Sequence, residues 1–222
     1  MDAPTPSLAP TATLDFHHPA VAAFTRRHAG GGGARERAVR LYYAVRDGVR
    51  YDPYAFRLSS EWLAASRTLQ AGAAWCVPKA VLLAACCRAE GIPARLGFAD
   101  VRNHLATERL RKLMGSDLFL WHGYVSLLLD GRWVKATPAF NIEMCRRFDV
   151  LPLEFDGTAD SLMQPYDARS RRHMEYVRDR GLFDDLPLEE MAADLRAAYP
   201  QLVAGAERPE GSFEQEAVRR EP

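Results

Sequence analysis

The 222 residues carry 29 basic and 29 acidic side chains, a formal net charge of zero, and 48% of them are hydrophobic. That length supports one substantial core, with room for at most a small second domain, and the balanced charge gives no electrostatic footprint for nucleic acid or an anionic membrane. No apolar run approaches the eighteen or so residues that a spanning helix needs, and the opening MDAPTPSLAPTATLD has neither a basic n-region nor an apolar h-region, so a cytoplasmic protein with no membrane partner is expected.

Residues 1–14, rich in Pro, Thr and Ala, read as a disordered tail, and the charged and polar residues 205–222 as a second one, leaving one domain at 15–204. The glycine run at 30–33 separates a short first helix from a second over about Ala34 to Val49. Val39, Leu41, Tyr42, Val45 and Val49 in that second helix lie close to the i, i+3, i+4, i+7 pattern of a packed face. From Cys76 to Glu90, CVPKAVLLAACCRAE combines strong helix formers with a proline in the first turn and Gly91 placed to end the helix. GIPAR then punctuates, ARLGFADV reads as a short strand, and Thr107 to Met114 as a polar helix.

Residues 122–129 and 132–138 form two extended segments joined by Asp130-Gly131, a strong two-residue hairpin signal because both central residues of a type I′ turn take positive φ. Beyond Pro138 the chain turns loop-like before two helices near Arg171 to Arg180 and Leu188 to Tyr199. The class is α+β: N-terminal helices on an antiparallel sheet, followed by a helical extension.

The cysteines at 76, 86, 87 and 145 form no CxxC pair, which argues against a zinc knuckle and a disulfide scaffold. Cys76 and Cys87 sit roughly 16 Å apart along one helix, too far to bridge. Cys86 and Cys87 read as small buried apolar residues. His17, His18, His28, His104 and His173 have no metal-ligand spacing, and the glycine run lacks the Lys and Ser/Thr of a phosphate loop, so neither a metal nor a cofactor is expected.

Cys76 opens an apolar helix, where unpaired N–H groups and the helix dipole favour thiolate and lower a cysteine's pKa. With Asp130 and Gly131 as the turn, Leu129 faces Arg132 and Tyr124 faces Thr137. His122, Tyr124, Ser126, Trp133, Lys135 and Thr137 then share one face, and Val125, Leu127, Leu129, Val134 and Ala136 the opposite, core face. His122 therefore stands on the more polar side, where a base can meet a helix N-terminus. A histidine there that only hydrogen-bonds locally is the bland alternative, and its pairing with Cys76 favours the base.

The order of helix-borne Cys76, Gly91-Ile92-Pro93-Ala94-Arg95, His122 opening a strand, and Asp130-Gly131-Arg132-Trp133-Val134 before Pro138 resembles the core of bacterial transglutaminase-like proteins. The segments Val45-Arg46-Asp47 and Val49-Arg50-Tyr51-Asp52 resemble what precedes the cysteine there, so the likeness runs from about Ala34 to Pro138, and residues 139–204 are an extension. The resemblance implies a papain-like fold with a Cys-His-Asp arrangement for amide chemistry on a peptide or protein, with Cys76 as nucleophile and His122 as general base.

In that pattern Thr137 stands where the family has aspartate. A hydroxyl accepts a hydrogen bond from a ring N–H but brings no charge, and neutralising the acid of a serine triad costs about four powers of ten in kcat. Thr137 suffices because thiolate is intrinsically nucleophilic, or Asp100, Asn103, Asn141 or Asp156 substitutes, with Asn141 attractive because papain-like enzymes orient their histidine with asparagine, or the chemistry is weak. The oxyanion donors expected are the Cys76 backbone N–H and Gln70, at the spacing of the papain-like glutamine. Trp75 and Tyr124 would wall the acyl cleft and Lys135 would meet a substrate carboxylate. The alternative is a binding or assembly module that kept this fold while losing its acid.

Overall fold

The structure, a computed structural model, describes residues 5–104, 106–162, 174–204, 213 and 216. In chain order it contains α1 (Pro19–Ala29), α2 (Ala34–Gly48), β1 (Arg50–Tyr51), α3 (Ser60–Leu63), α4 (Ala65–Ala71), β2 (Ala73–Ala74), α5 (Cys76–Ala89) and β3 (Ala94–Asn103). There follow α6 (Glu108–Met114), β4 (Leu118–Leu129), β5 (Arg132–Ala136), α7 (Ile142–Phe148), β6 (Met174–Phe183), α8 (Leu188–Ala198) and α9 (Pro200–Ala204). The main sheet is antiparallel in the order β5-β4-β3-β6, and β1 and β2 form a short parallel pair.

Helix α5 is the axis of the core. It has no polar stripe, and every residue from Cys76 to Arg88 is buried, the state of a helix hydrophobic all round. Helices α1, α2 and α4 pack on it, and β3 and β4 cover another side. Its two cations serve backbone carbonyls. The Lys79 ammonium donates to Arg46 and Val49 at the end of α2, and the Arg88 guanidinium to Ala9, Ala94 and Asp184. These are carbonyls that element ends and loops leave to outside donors.

The hairpin has the expected turn and register: Asp130 and Gly131 take φ of 49° and 77°, and pairing runs from Leu129↔Arg132 to Val125↔Ala136. Its core face, Val125, Leu127, Leu129, Val134 and Ala136, is buried. The ladder stops one pair short of Tyr124 and Thr137, because the Thr137 N–H donates to the Ser161 carbonyl at 3.0 Å. Strand β4 begins at Leu118, so His122 lies inside it rather than opening it.

The helix expected near Arg171 to Arg180 is corrected. Residues 171–173 lie outside the described residues, and Met174–Phe183 is the edge strand β6, paired antiparallel with β3. Most of its side chains are exposed on both faces, so no period-two pattern marks it. The open edge of β3 decides the matter, since its peptide groups need partners. Among the described residues the extension is thus mixed, with one strand, β6, beside α7, α8 and α9.

The expected N-terminal tail is corrected over residues 5–14. Pro6–Leu8 forms a 3-10 turn, Leu14 is buried in the core, and the Thr11 and Thr13 hydroxyls donate to Asp185 at 2.7 and 3.1 Å. This segment supplies hydroxyls and carbonyls more than apolar mass, which is why composition hid it. Most of 205–222 lies outside the described residues, but Phe213 stacks on Phe148 at 4.9 Å between ring centroids. Among the described residues no helix is long and apolar enough to cross a membrane.

Candidate active site

Cys76 is the first residue of α5, after an N-cap, Trp75, whose side chain makes no capping hydrogen bond. The first-turn N–H groups are therefore left for another acceptor, and those of Cys76 and Val77, together with that of Gly123 in β4, face the thiol. Burial nonetheless pushes the thiol up to about 11, with the three N–H groups pulling the other way. The depressed pKa expected from the helix terminus is corrected: desolvation of the charged form outweighs the dipole, and the resting thiol is protonated at neutral pH.

Strand β4 approaches α5 unusually closely at Gly123. A Cβ there would lie 3.1 Å from the Val77 Cα and 3.4 Å from both the Ala80 Cβ and the Cys76 carbonyl oxygen. A glycine inside a strand commonly marks such an approach.

Cys76 and His122 line one cavity of about 50 Å³. Cys76 is 8% exposed, whereas Cys86 and Cys87 are 0% and Cys145 1%, and all four thiols are free. Most other lining side chains are apolar or aromatic, and Phe140, Met174, Leu195, Tyr199 and Leu202 among them come from the extension beyond Pro138. The extension thus helps to wall the cavity. Tyr51 also lines it, and its phenol is held well above its ordinary value by burial and then by the negative charge of the neighbouring Cys76 once that thiol ionises.

Of the other predicted residues, Trp75 lines the cavity and packs on Phe56 with ring centroids 4.8 Å apart. Thr137 is buried just past β5, its carbonyl accepting from the Tyr42 hydroxyl at 3.2 Å, and its own hydroxyl has no hydrogen-bond partner among the described residues. Asn141 Oδ1 accepts the Tyr51 N–H at 2.9 Å, which ties the start of α7 to β1. Gln70 is exposed on α4, accepts from Arg67 at 3.0 Å and does not line the cavity. Its expected oxyanion role is corrected, since the exposed end of α4 turns it toward solvent.

Tyr124 is buried but does not line the cavity. The Lys135 ammonium lies 5.1 Å from its ring centroid and 3.8 Å from Asp179, so neither Tyr124 nor Lys135 stands where a substrate at Cys76 would touch it. Of the suggested stand-ins for the acid, Asn103 lines the cavity, Asp156 binds Thr158 on the surface, and Asp100 accepts the Trp121 N–H at 3.1 Å.

Trp121, immediately before His122, takes φ of 59°, a left-handed conformation that costs a non-glycine residue roughly 1–2 kcal/mol. It belongs to a bulge: the β3–β4 register runs Ala99↔His122 and then Val101↔Phe119, so Leu120 and Trp121 stand opposite Asp100 alone. Sequence reasoning missed this bulge, Gly123 and Tyr199. For Gly123 the signal was present, a glycine between His122 and Tyr124 in an extended run; for the bulge a tryptophan gave none.

The sequence matches the profile of the Transglutaminase-like superfamily over residues 22–138. No curated protein matches it. Among solved structures it resembles one described as "a Putative Cysteine Protease" from Cytophaga hutchinsonii, at 16% identity and a TM-score of 0.47, covering 80% of this chain and 53% of that one. The chain therefore spans about half the length of that protein. With Cys76 and His122 both inside a profile match that takes in more than half of the 222 residues, the chain belongs to the transglutaminase-like superfamily and has its papain-like α+β fold.

Proposed function

We propose that the protein is a cysteine acyl-transfer enzyme that cleaves an amide or peptide bond through a thioester on Cys76, with His122 as general base. The observation that carries this reading is the shared cavity: a nucleophile from α5 and a base from β4, distant in sequence, line the same apolar enclosure. As the Cys76 sulfur attacks the carbonyl carbon, its proton passes to His122. The negative charge developing on the carbonyl oxygen is met by backbone N–H groups of the kind gathered around the thiol, from Cys76, Val77 and Gly123. The C–N bond then breaks as the leaving amine takes the proton from His122. Water next attacks the thioester while His122 accepts its proton, the C–S bond breaks to release the carboxylic acid, and the Cys76 sulfur takes the proton back from His122.

The protonated resting thiol fits a nucleophile made only when a carbonyl occupies the cavity. The apolar lining favours an apolar acyl group over a charged one. A second reading, a binding or assembly module, draws support from Thr137 at the acid position and from that same raised thiol. Hydrolysis of p-nitrophenyl butyrate separates the two: activity lost in Cys76→Ala and reduced about 100-fold or more in His122→Ala supports the enzyme, and equal rates in all three proteins support the module.

A further inference from the structure

We infer that Asp100, clamped by Arg180, is a positioning residue for His122: it fixes the Trp121–His122 peptide in the bulge that delivers the imidazole to the Cys76 cavity. This rests on the reading of His122 as the base. Two bulges meet across β3 at this point. On β4, Leu120 and Trp121 oppose Asp100. On β6, Arg180 is itself the extra residue between the pairs Phe98↔Gly181 and Ala99↔Asp179. Bulges re-aim side chains, and here the side chain of Arg180 meets that of Asp100.

Both N–H groups of the bulged β4 residues have partners outside the ladder. Peptide groups that leave a ladder need other partners when buried. The Trp121 N–H donates to Asp100 Oδ1 at 3.1 Å, and the Leu120 N–H donates at 2.8 Å to the Tyr199 hydroxyl, which in turn donates to the Leu118 carbonyl at 2.6 Å. Asp100 Oδ1 also receives Arg180 Nε at 2.5 Å, with both side chains 7% exposed.

The indole is held as firmly as the peptide. Trp121 Nε1 donates to Asp194 Oδ2 at 3.0 Å, Arg180 Nη1 donates to the same oxygen at 2.6 Å, and the guanidinium carbon lies 4.3 Å from the ring centroid. Trp121 is thereby gripped by its N–H, its indole N–H and its ring face, which is what keeps a non-glycine residue in a left-handed conformation. Phe119, Leu120 and His122 all line the catalytic cavity while Trp121 does not, a departure from strict alternation that the bulge makes possible. A carboxylate thus orients the base through backbone, in a chain whose usual acid position holds Thr137.

The test compares Asp100→Ala, Asp100→Asn and Arg180→Lys with wild type. The readouts are burst acylation by p-nitrophenyl acetate and the ring resonances of His122 followed by NMR through a pH titration. A displaced base costs about 10- to 100-fold in rate. Asp100→Ala is therefore expected to slow the acylation step by that factor with KM little changed, because Asp100 does not line the cavity, and to move the His122 resonances. Asp100→Asn, which keeps an acceptor for the Trp121 N–H, should recover part of the rate. Should Asp100→Ala fail to fold, Arg180→Lys, which keeps the charge but not the fork of donors, carries the same expectations. Wild-type acylation with an unmoved His122 resonance in the folded variants overturns the inference. If wild type itself never acylates Cys76, the acyl-transfer reading fails, and the His122 resonances still decide whether Asp100 holds the bulge.

Discussion

The backbone N–H of Gly123 faces the Cys76 thiol, and the glycine is what lets the two elements approach: a side chain at 123 would meet the Val77 Cα at 3.1 Å. The residue after His122 thus sets the distance between sheet and helix. Gly123→Ala is expected to destabilise by about 1 kcal/mol and Gly123→Val by about 2–3 kcal/mol, as overpacking against backbone does, measured by urea unfolding. A Gly123→Val protein as stable as wild type would contradict this reading of the contact.

Cys76 gives a pH signature with a definite sign. Folding raises its pKa from an ordinary 9.0 to about 11, so its contribution to stability is fully present below pH 9 and is lost as pH rises through about 11. At 1.36 kcal/mol per pH unit the gap is about 3 kcal/mol. Wild type should therefore lose about 2 kcal/mol of that gap relative to Cys76→Ala between pH 9 and 11 in urea unfolding, the rest falling outside this window. Parallel curves would show that the thiol is not desolvated.

Much of this arrangement was legible in the sequence, for physical reasons that can be named. Asp130-Gly131 fixed the turn, and because side-chain direction has period two, the turn fixed every pair up to Val125↔Ala136. The apolar run after Cys76 with Gly91 behind it gave α5 almost to the residue. What stayed hidden depends on partners distant in sequence. Strand β6 is held by the edge of β3 and not by its own pattern. Residues 5–14 are held by Arg88 and Asp185. The raised thiol follows from burial, which the helix terminus alone does not reveal.

Lys79 binds α5 to α2. The Arg50 N–H, which would continue α2, donates instead to Gly72, leaving the Arg46 carbonyl to the buried Lys79 ammonium at 2.8 Å. Lys79→Met leaves buried carbonyls at Arg46 and Val49 without that donor and is expected to cost about 2–3 kcal/mol, read from denaturant midpoints. A variant at least as stable as wild type would mean that desolvating the ammonium outweighs its hydrogen bonds.

Thr137 is the mild site on this account. Its buried hydroxyl has no partner among the described residues, and replacing an unsatisfied polar group by an apolar one of the same shape is near neutral. Thr137→Val should change stability by at most about 1 kcal/mol and the ester-hydrolysis rate by less than about threefold. A loss of about 100-fold would show instead that the hydroxyl orients His122.

The cavity wall predicts selectivity. Each buried methylene is worth about 0.8 kcal/mol, so p-nitrophenyl butyrate should outrun the acetate by about tenfold in kcat/KM, and a charged hemiglutarate ester should be poorer than the butyrate. Leu202→Glu, on the α9 wall, should erase that order. No dependence on chain length would place the acyl group outside this cavity.

The proposed chemistry turns on acylation of Cys76 with the help of His122. The direct measurement is rapid quench of the protein with p-nitrophenyl butyrate followed by peptide mass spectrometry. A hydroxylamine-labile butyryl group is expected on Cys76 in wild type, formed much more slowly in His122→Ala. Acylation confined to other residues, or an unmodified Cys76 while ester is consumed, would contradict it.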